Sequence, residues 1–231
     1  MLKALLFDVN NTLATGHWKQ GLNELIFAQL GIRGHLDKAK FDEINTQVDS
    51  LIKEKDKSDT YYSDWMSLRL DKLAEGLGFN IDQKFKGQIL KAIDNYIIDN
   101  TDEMDGASGI IEELSKRYRL YVITNGSGRI NGVLEKLKIR KFFKGVFISG
   151  EILSIKETGG LFDVLIKETK LDPKECLMIG DKLTSDGSCM AFGIRFCFID
   201  RKGQNPESGY DVKINNLSEI DYAIHHLESK F

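Results

Sequence analysis

The amino-acid sequence predicts an α/β protein: a parallel sheet with helices on both faces, interrupted early by a block of helices. Three observations carry that reading. Short apolar runs end abruptly on polar turn-formers at Leu5–Phe7, Leu120–Ile123, Val146–Ile148 and Cys176–Ile179, the pattern of strands buried on both faces. From Gly106 onward, helical and strand-like segments alternate. Residues 16–101, by contrast, carry apolar residues at helical spacing with no strand-like alternation.

The first strand ends on Asp8, and the carboxyl ends of strands are where open α/β sheets bind ligands. Asn10, two residues on, is expected on the same side of the chain as Asp8. Thr12 is expected to bond locally and order the following loop. Helices then run near 18–31, 37–55, 59–76 and 82–98, with Leu22, Leu25, Ile26 and Leu30 marking the buried face of the first. Asp37, Ser58 and Asp82 suit their N-caps; Gly31, Gly34 and Gly78 suit their stops. The expected organisation is a core of residues 1–15 and 102–231 and an antiparallel helical bundle of residues 16–101. Trp18, Tyr61, Tyr62 and Trp65 at helical spacing suit the bundle's interior first and a ligand surface second. Back in the core, the next strand ends on Thr124-Asn125-Gly126, a further one leads through Ser149-Gly150-Glu151 to Lys156, and the last of these ends on Gly180-Asp181, with Asp186 close behind.

A chain of 231 residues is long enough for one large domain or a domain with a sizeable insert. The net charge of −3 argues against a nucleic-acid or anionic-membrane partner. No apolar run approaches the ~20 residues that span a bilayer, and the chain enters its first strand without a signal-peptide pattern. Cys176, Cys189 and Cys197 are odd in number and set in apolar stretches, so reduced core thiols in a cytoplasmic protein are expected. His17 and His35 flank the insert's first helix, and adjacent His225 and His226 point to different faces of theirs, a poor metal pair.

Asp8, then Thr124, then Lys156, then Asp181 with Asp186, each just after a strand, resembles the haloacid dehalogenase superfamily of phosphohydrolases. The likeness covers residues 1–14 and 102–231. It implies a Rossmann-like core whose helical insert is a mobile cap over a small substrate, hinged near Thr15-Gly16 and Thr101–Gly106. It also implies that Asp8 is a nucleophile forming an aspartyl-phosphate. A carboxylate meeting a phosphate dianion needs a divalent cation nearby, and Mg2+ takes six oxygens. Asp8, the backbone carbonyl of Asn10, Asp181 and Asp186 are the ligands the resemblance suggests. Thr124 would offer its hydroxyl, and Asn125 and Gly126 their amides, to phosphate oxygens. Lys156 would supply a fixed positive charge. Bland alternatives stand beside each role: N-capping for the two late acids, an ordinary turn for Thr124-Asn125-Gly126, and a solvated surface for Lys156. Lys156 is followed by Glu157, where relatives place proline; Phe162 does sit where they place an aromatic. The turn motifs look most like small-metabolite phosphatases with helical caps; the physiological substrate and the oligomeric state are not written in them.

The departure is Asn10. Phosphatases of the superfamily carry a second Asp there, which protonates the leaving alcohol and then activates water. A carboxamide has nearly the same shape but no titratable proton. General acid–base catalysis contributes ~10²–10⁴ in rate, so its loss raises the barrier by about 3–5 kcal/mol. Three explanations compete: a phosphatase whose acid/base has become its amide, which we favour; a phosphate-binding or regulatory module without turnover; and a leaving group that needs no proton, such as an acyl phosphate or a halide. The paired Asp181 and Asp186 speak against a dehalogenase. With Mg2+, slow turnover of p-nitrophenyl phosphate is expected, and Asn10→Asp should raise it at least about a hundredfold in a steady-state assay.

Overall fold

The computed structural model describes residues 1–17, 19–31, 37–55 and 65–229. In chain order the elements are β1 (Ala4–Phe7), β2 (Ala14–Gly16), α1 (Lys19–Gly31), α2 (Lys38–Lys55), α3 (Trp65–Leu77), α4 (Gln83–Asp99), β3 (Thr101–Glu103), α5 (Ala107–Ser115), β4 (Arg119–Thr124), α6 (Arg129–Lys136), β5 (Phe143–Ile148), α7 (Ser149–Ile152), α8 (Gly160–Thr169), β6 (Cys176–Gly180), β7 (Arg195–Ile199), β8 (Val212–Ile214) and α9 (Ile220–Glu228). The chain divides into two compact units, residues 1–15 with 102–231, and residues 16–101.

The first unit is a parallel sheet in the order β5-β4-β1-β6-β7-β8. Every residue of β1 is buried, because the strand is central and covered on both faces. Alternate side chains separate cleanly. Leu6, Tyr121, Ile123, Phe147, Met178, Phe196 and Phe198 join Leu161, Phe162 and Leu165 of α8 in one cluster. Leu5, Phe7, Leu120, Val122, Leu177 and Ile179 are buried but lie outside that cluster, as do Ile111 and Leu114 of α5 and Ile224 and Leu227 of α9. The three cysteines are free and buried, and burial pushes the Cys176 thiol up to about 12, so it stays protonated.

Register decides what the sheet presents at its carboxyl edge. Phe7 pairs with Val122 on one side and Ile179 on the other, and the Asp8 amide donates to the Ile179 carbonyl at 3.0 Å. Parallel strands end on one edge, so Asp8, Thr124 and Asp181 emerge together. After Val9 the chain turns tightly: the Thr12, Leu13 and Ala14 amides all donate to the Val9 carbonyl, and Asn11 sits at φ 59°. The Thr12 hydroxyl, expected to order this loop, has no hydrogen-bond partner among the described residues. Backbone bonds and Arg201, which donates Nε to the Asn11 carbonyl at 2.9 Å and Nη2 to that of Thr12 at 3.3 Å, order it instead.

The second unit holds four helices in the described residues. Leu22, Ile26 and Leu30 of α1 and Ile89, Ile93 and Ile97 of α4 recur every fourth residue and meet Phe41, Leu70 and Leu73 in a common core. Asp37 accepts the Ala39 amide at 2.9 Å and Asp82 that of Phe85 at 2.8 Å, as N-caps do. Gly78, at φ 74°, ends α3 in the left-handed conformation that favours glycine. Trp65 opens α3 half-buried; Trp18, Gly34, His35, Ser58, Tyr61 and Tyr62 lie outside the described residues. The chain's two crossings, β2 and β3, are short strands that pair with each other, a feature the helical pattern around them conceals. Because Ile93 is fully buried in this core, Ile93→Ala should destabilise the protein by about 2–5 kcal/mol, read as a lower midpoint in urea unfolding.

Candidate active site

Asp8 is buried one residue past β1. Its Oδ1 accepts the Thr124 hydroxyl at 2.9 Å and Lys156 Nζ at 2.7 Å. Both bonds fall on one oxygen, and no hydrogen bond to Oδ2 occurs among the described residues. Lys156 also donates to Asp186 Oδ1. At 2 % exposure the lysine is among the largest fully buried side chains, so the solvated-surface alternative does not hold. Burial would lower its pKa, but the charges of Asp186 and Asp8 outweigh that and hold it above its ordinary value.

The acids are not helix caps. A turn follows β6 rather than a regular α-helix, leading to a 3₁₀ helix at Gly187–Phe192. Asp186 occupies that helix's N-cap position without a capping bond; its Oδ2 instead accepts the Lys182 amide at 3.0 Å. Asp8, Asp181 and Asp186 each offer a carboxylate oxygen within 4.8 Å of the others. Like charges ~4 Å apart repel by about 4 kcal/mol at an effective dielectric of ~20, and one lysine cannot neutralise three. Burial pushes Asp186 up to about 6, with the Lys156 charge pulling the other way. Asp181 is raised too, by burial and then by the Asp8 charge, while Lys182 and a hydrogen bond from Asn11 act against the shift. Asp181 Oδ1 is buried with no hydrogen-bond partner in the described residues. Hard oxygen donors, surplus negative charge and an orphaned carboxylate oxygen fit Mg2+.

Asn10 is exposed in the turn after Val9, where its backbone bridges to Ala14. Thr124 is fully buried on Asp8. The Asn125 side chain staples two loops: Oδ1 accepts the Lys156 amide at 3.1 Å, and Nδ2 donates to Glu157 at 2.6 Å. The Gly126 amide, expected to face a phosphate, donates instead to Ser149 Oγ at 2.9 Å. Ser149 sits at the end of the neighbouring strand, and that contact depends on the order of strands, which the sequence does not display. Phe162 packs inside the core against Phe192, ring centroids 6.0 Å apart.

Several supporting residues escape sequence reasoning because their partners are remote in the chain. Ser188 Oγ donates to the Lys156 carbonyl at 2.6 Å, fixing the lysine's backbone. Arg201 joins the Asn11–Thr12 turn to the Asp105 carboxylate. Gly180 has a signal that a pattern search could find, a glycine directly before the acid: a Cβ there would lie 2.2 Å from Asp186 Oδ2. Gly180→Ala should therefore displace Asp186 and weaken Mg2+ binding by about 10–100-fold in calorimetric titration, while the far-ultraviolet circular dichroism stays unchanged.

The haloacid dehalogenase-like hydrolase family model matches residues 2–189. YfnB of Bacillus subtilis (strain 168), which carries the name HAD-hydrolase, is 26% identical over 235 residues, covering 98% of this chain and 97% of its own. The glyceraldehyde 3-phosphate phosphatase of Pyrococcus abyssi (strain GE5 / Orsay) is 28% identical over 196 residues, covering 80% of this chain and 76% of its own. Among solved structures, magnesium-bound YfnB aligns with a TM-score of 0.69 at 20% identity, over 97% of this chain and 99% of that one. The 2-haloacid dehalogenase of Pseudomonas syringae pv. Tomato DC3000 aligns with a TM-score of 0.74 at 18% identity, over 98% of this chain and all of its own (100%). At such identities these two are likenesses of fold. With a family model spanning most of its length, the chain belongs to the haloacid dehalogenase-like hydrolase family.

Proposed function

We propose that the chain is a magnesium-dependent, phosphatase-type hydrolase that acts on a small phosphorylated metabolite through an aspartyl-phosphate on Asp8. Asn10 holds its turnover down. The observation that carries the reading is the loading of Asp8: Thr124 and Lys156 share Oδ1 and orient the carboxylate, and two further acids stand within 4.8 Å. A relative named as a glyceraldehyde 3-phosphate phosphatase supports phosphate-ester chemistry, and the magnesium in the YfnB structure supports the cation.

Asp8, Asp181, Asp186 and the backbone carbonyl of Asn10 would hold Mg2+, which would neutralise charge between the nucleophile and the incoming phosphate. Oδ2 of Asp8 attacks phosphorus while Thr124 and Lys156 keep the carboxylate from turning. The Lys156 ammonium stays in place as fixed positive charge, which is worth most where water is excluded. Asn10 can hydrogen-bond but neither gives nor takes a proton. The unit of residues 16–101 is read as the cap domain; its place in the chain, departing just after the Asp8 loop, supports that role. The enzyme is expected to be cytoplasmic, with no nucleic-acid or membrane partner. No helix among the described residues is long and apolar enough to cross a membrane. The unusual Asn10 favours one second reading, a phosphate-binding or regulatory protein with little turnover.

The test is a panel of phosphorylated metabolites offered to the Asn10→Asp protein with Mg2+. Turnover of at least one phosphomonoester, abolished by Asp8→Asn and by EDTA, is expected. Release of halide from a halo-acid in EDTA, with no phosphate release from any member, would contradict the reading.

A further inference from the structure

We propose that this chain accepts a phosphoryl group only from donors whose leaving group departs as a stable anion, acyl phosphates above all, and then keeps that group on Asp8. The inference rests on the phosphatase reading of the site and names its donor class.

It follows from an inventory of protons around Asp8. The side chains that hydrogen-bond Asp8 are Thr124 and Lys156. An alcohol such as Thr124 holds its proton far too tightly to act as an acid near neutral pH, and its hydroxyl is aimed at Oδ1. Lys156 directs two of its three N–H groups at Asp8 and Asp186. Asp181 and Asp186 stand in the carboxylate group suited to a cation. Asn10 is a neutral amide. The core unit's histidines, His225 and His226, lie on α9, which packs against β8, the edge strand three places from β1. Apart from Asp181 and Asp186, which the cation would engage, no acid or base of the core unit's described residues other than Lys156 hydrogen-bonds the nucleophile.

The consequence differs between the two halves of the reaction. In the first, Asp8 Oδ2 forms a bond to phosphorus, and the bond from phosphorus to the leaving oxygen breaks with its electron pair. An alkyl phosphate would expel an alkoxide, whose conjugate acid is about as weak as bulk water at ~15.7. Without an incoming proton that step is slow. An acyl phosphate expels a carboxylate, whose conjugate acid ionises near ~4, and no proton is needed. Phenyl phosphates lie between, the parent phenol ionising near ~10. In the second half, water attacks phosphorus and the bond to Asp8 breaks, returning the carboxylate and inorganic phosphate. That water must lose a proton as it attacks, and with Asp181 and Asp186 committed to the cation and an amide at position 10, no acid or base of the core unit's described residues is left beside Asp8 to take it. The phosphoryl group therefore stays.

The experiment uses the 231-residue chain with Mg2+ and three donors: acetyl phosphate, p-nitrophenyl phosphate and glycerol phosphate. Phosphorylation is followed by intact mass and peptide mapping, and leaving-group release by stopped flow. The expected result is label at Asp8 from acetyl phosphate, formed at least about a hundredfold faster than from glycerol phosphate. A burst of one equivalent of p-nitrophenolate should precede slow steady turnover, and Asn10→Asp should remove both the burst and the steep dependence on leaving group. Equal rates across the three donors, or sustained turnover of glycerol phosphate by the native chain, would overturn the inference while leaving the phosphatase reading intact. So would failure to label the native chain while Asn10→Asp turns substrate over. Neither label nor turnover in both proteins would end the phosphatase reading itself.

Discussion

The buried ammonium of Lys156 between Asp8 and Asp186 organises everything else at the carboxyl edge of the sheet. Three acids converge there, Asp8 and Asp186 buried and Asp181 partly so, and burial makes Asp186 and Asp181 resist ionisation. One fixed cation lets two of them share an arrangement that would otherwise fly apart. Removing one partner from a buried ion pair costs about 3–5 kcal/mol, because the remaining charge is left uncompensated. The lysine is accordingly held by more than its own side chain: Asn125 accepts its backbone amide and Ser188 donates to its carbonyl. The charge balance that remains, with the orphaned Asp181 oxygen, is what a divalent cation would complete.

The sheet supplies precision that loops alone would lack. Asp8, Thr124 and Asp181 are each fixed at the end of a parallel strand, by a register that runs unbroken from β4 through β1 to β6. The loops between them are then tied across the edge: Gly126 to Ser149, Asn125 to Glu157, and the Asn11–Thr12 turn to Arg201 and through it to Asp105. Arg201 and Asp105 fix the turn that carries Asn10 and Asn11, and Asn11 in turn hydrogen-bonds Asp181. Groups so supported need little reorganisation when charge develops.

The sheet and the site were legible in the sequence to different depths. Apolar runs ending on Asp8, Thr124 and Gly180 declare buried strands because only a doubly covered strand tolerates such runs. Ile89, Ile93 and Ile97 declare a helix by their spacing. What the sequence hides is anything decided by neighbours far along the chain. Lys156 reads as a plain lysine beside Glu157 until Asp8 and Asp186 are brought to it. Gly126 reads as a phosphate-facing amide until Ser149 arrives from the next strand. The hydroxyl of Thr12 reads as a local hydrogen-bond donor, yet the turn closes through its backbone. The end of β6 looked compatible with a capped helix, whereas the Lys182 amide draws Asp186 back toward Lys156.

Asn10 stands apart from this network, exposed and uncharged in the turn after Val9. On the proposed reading, Thr124 and Lys156 orient Asp8 for attack, and an amide in place of an acid at position 10 leaves proton transfer unserved. All of it presumes that the acids around Lys156 gather one cation beside Asp8. The most direct measurement is anomalous diffraction from crystals soaked in Mn2+ as a surrogate. A single peak bounded by Asp8, Asp181 and Asp186, lost in Asp181→Asn, is the expected result. A cluster that stays empty at saturating Mn2+, or a peak elsewhere on the molecule, would contradict the account.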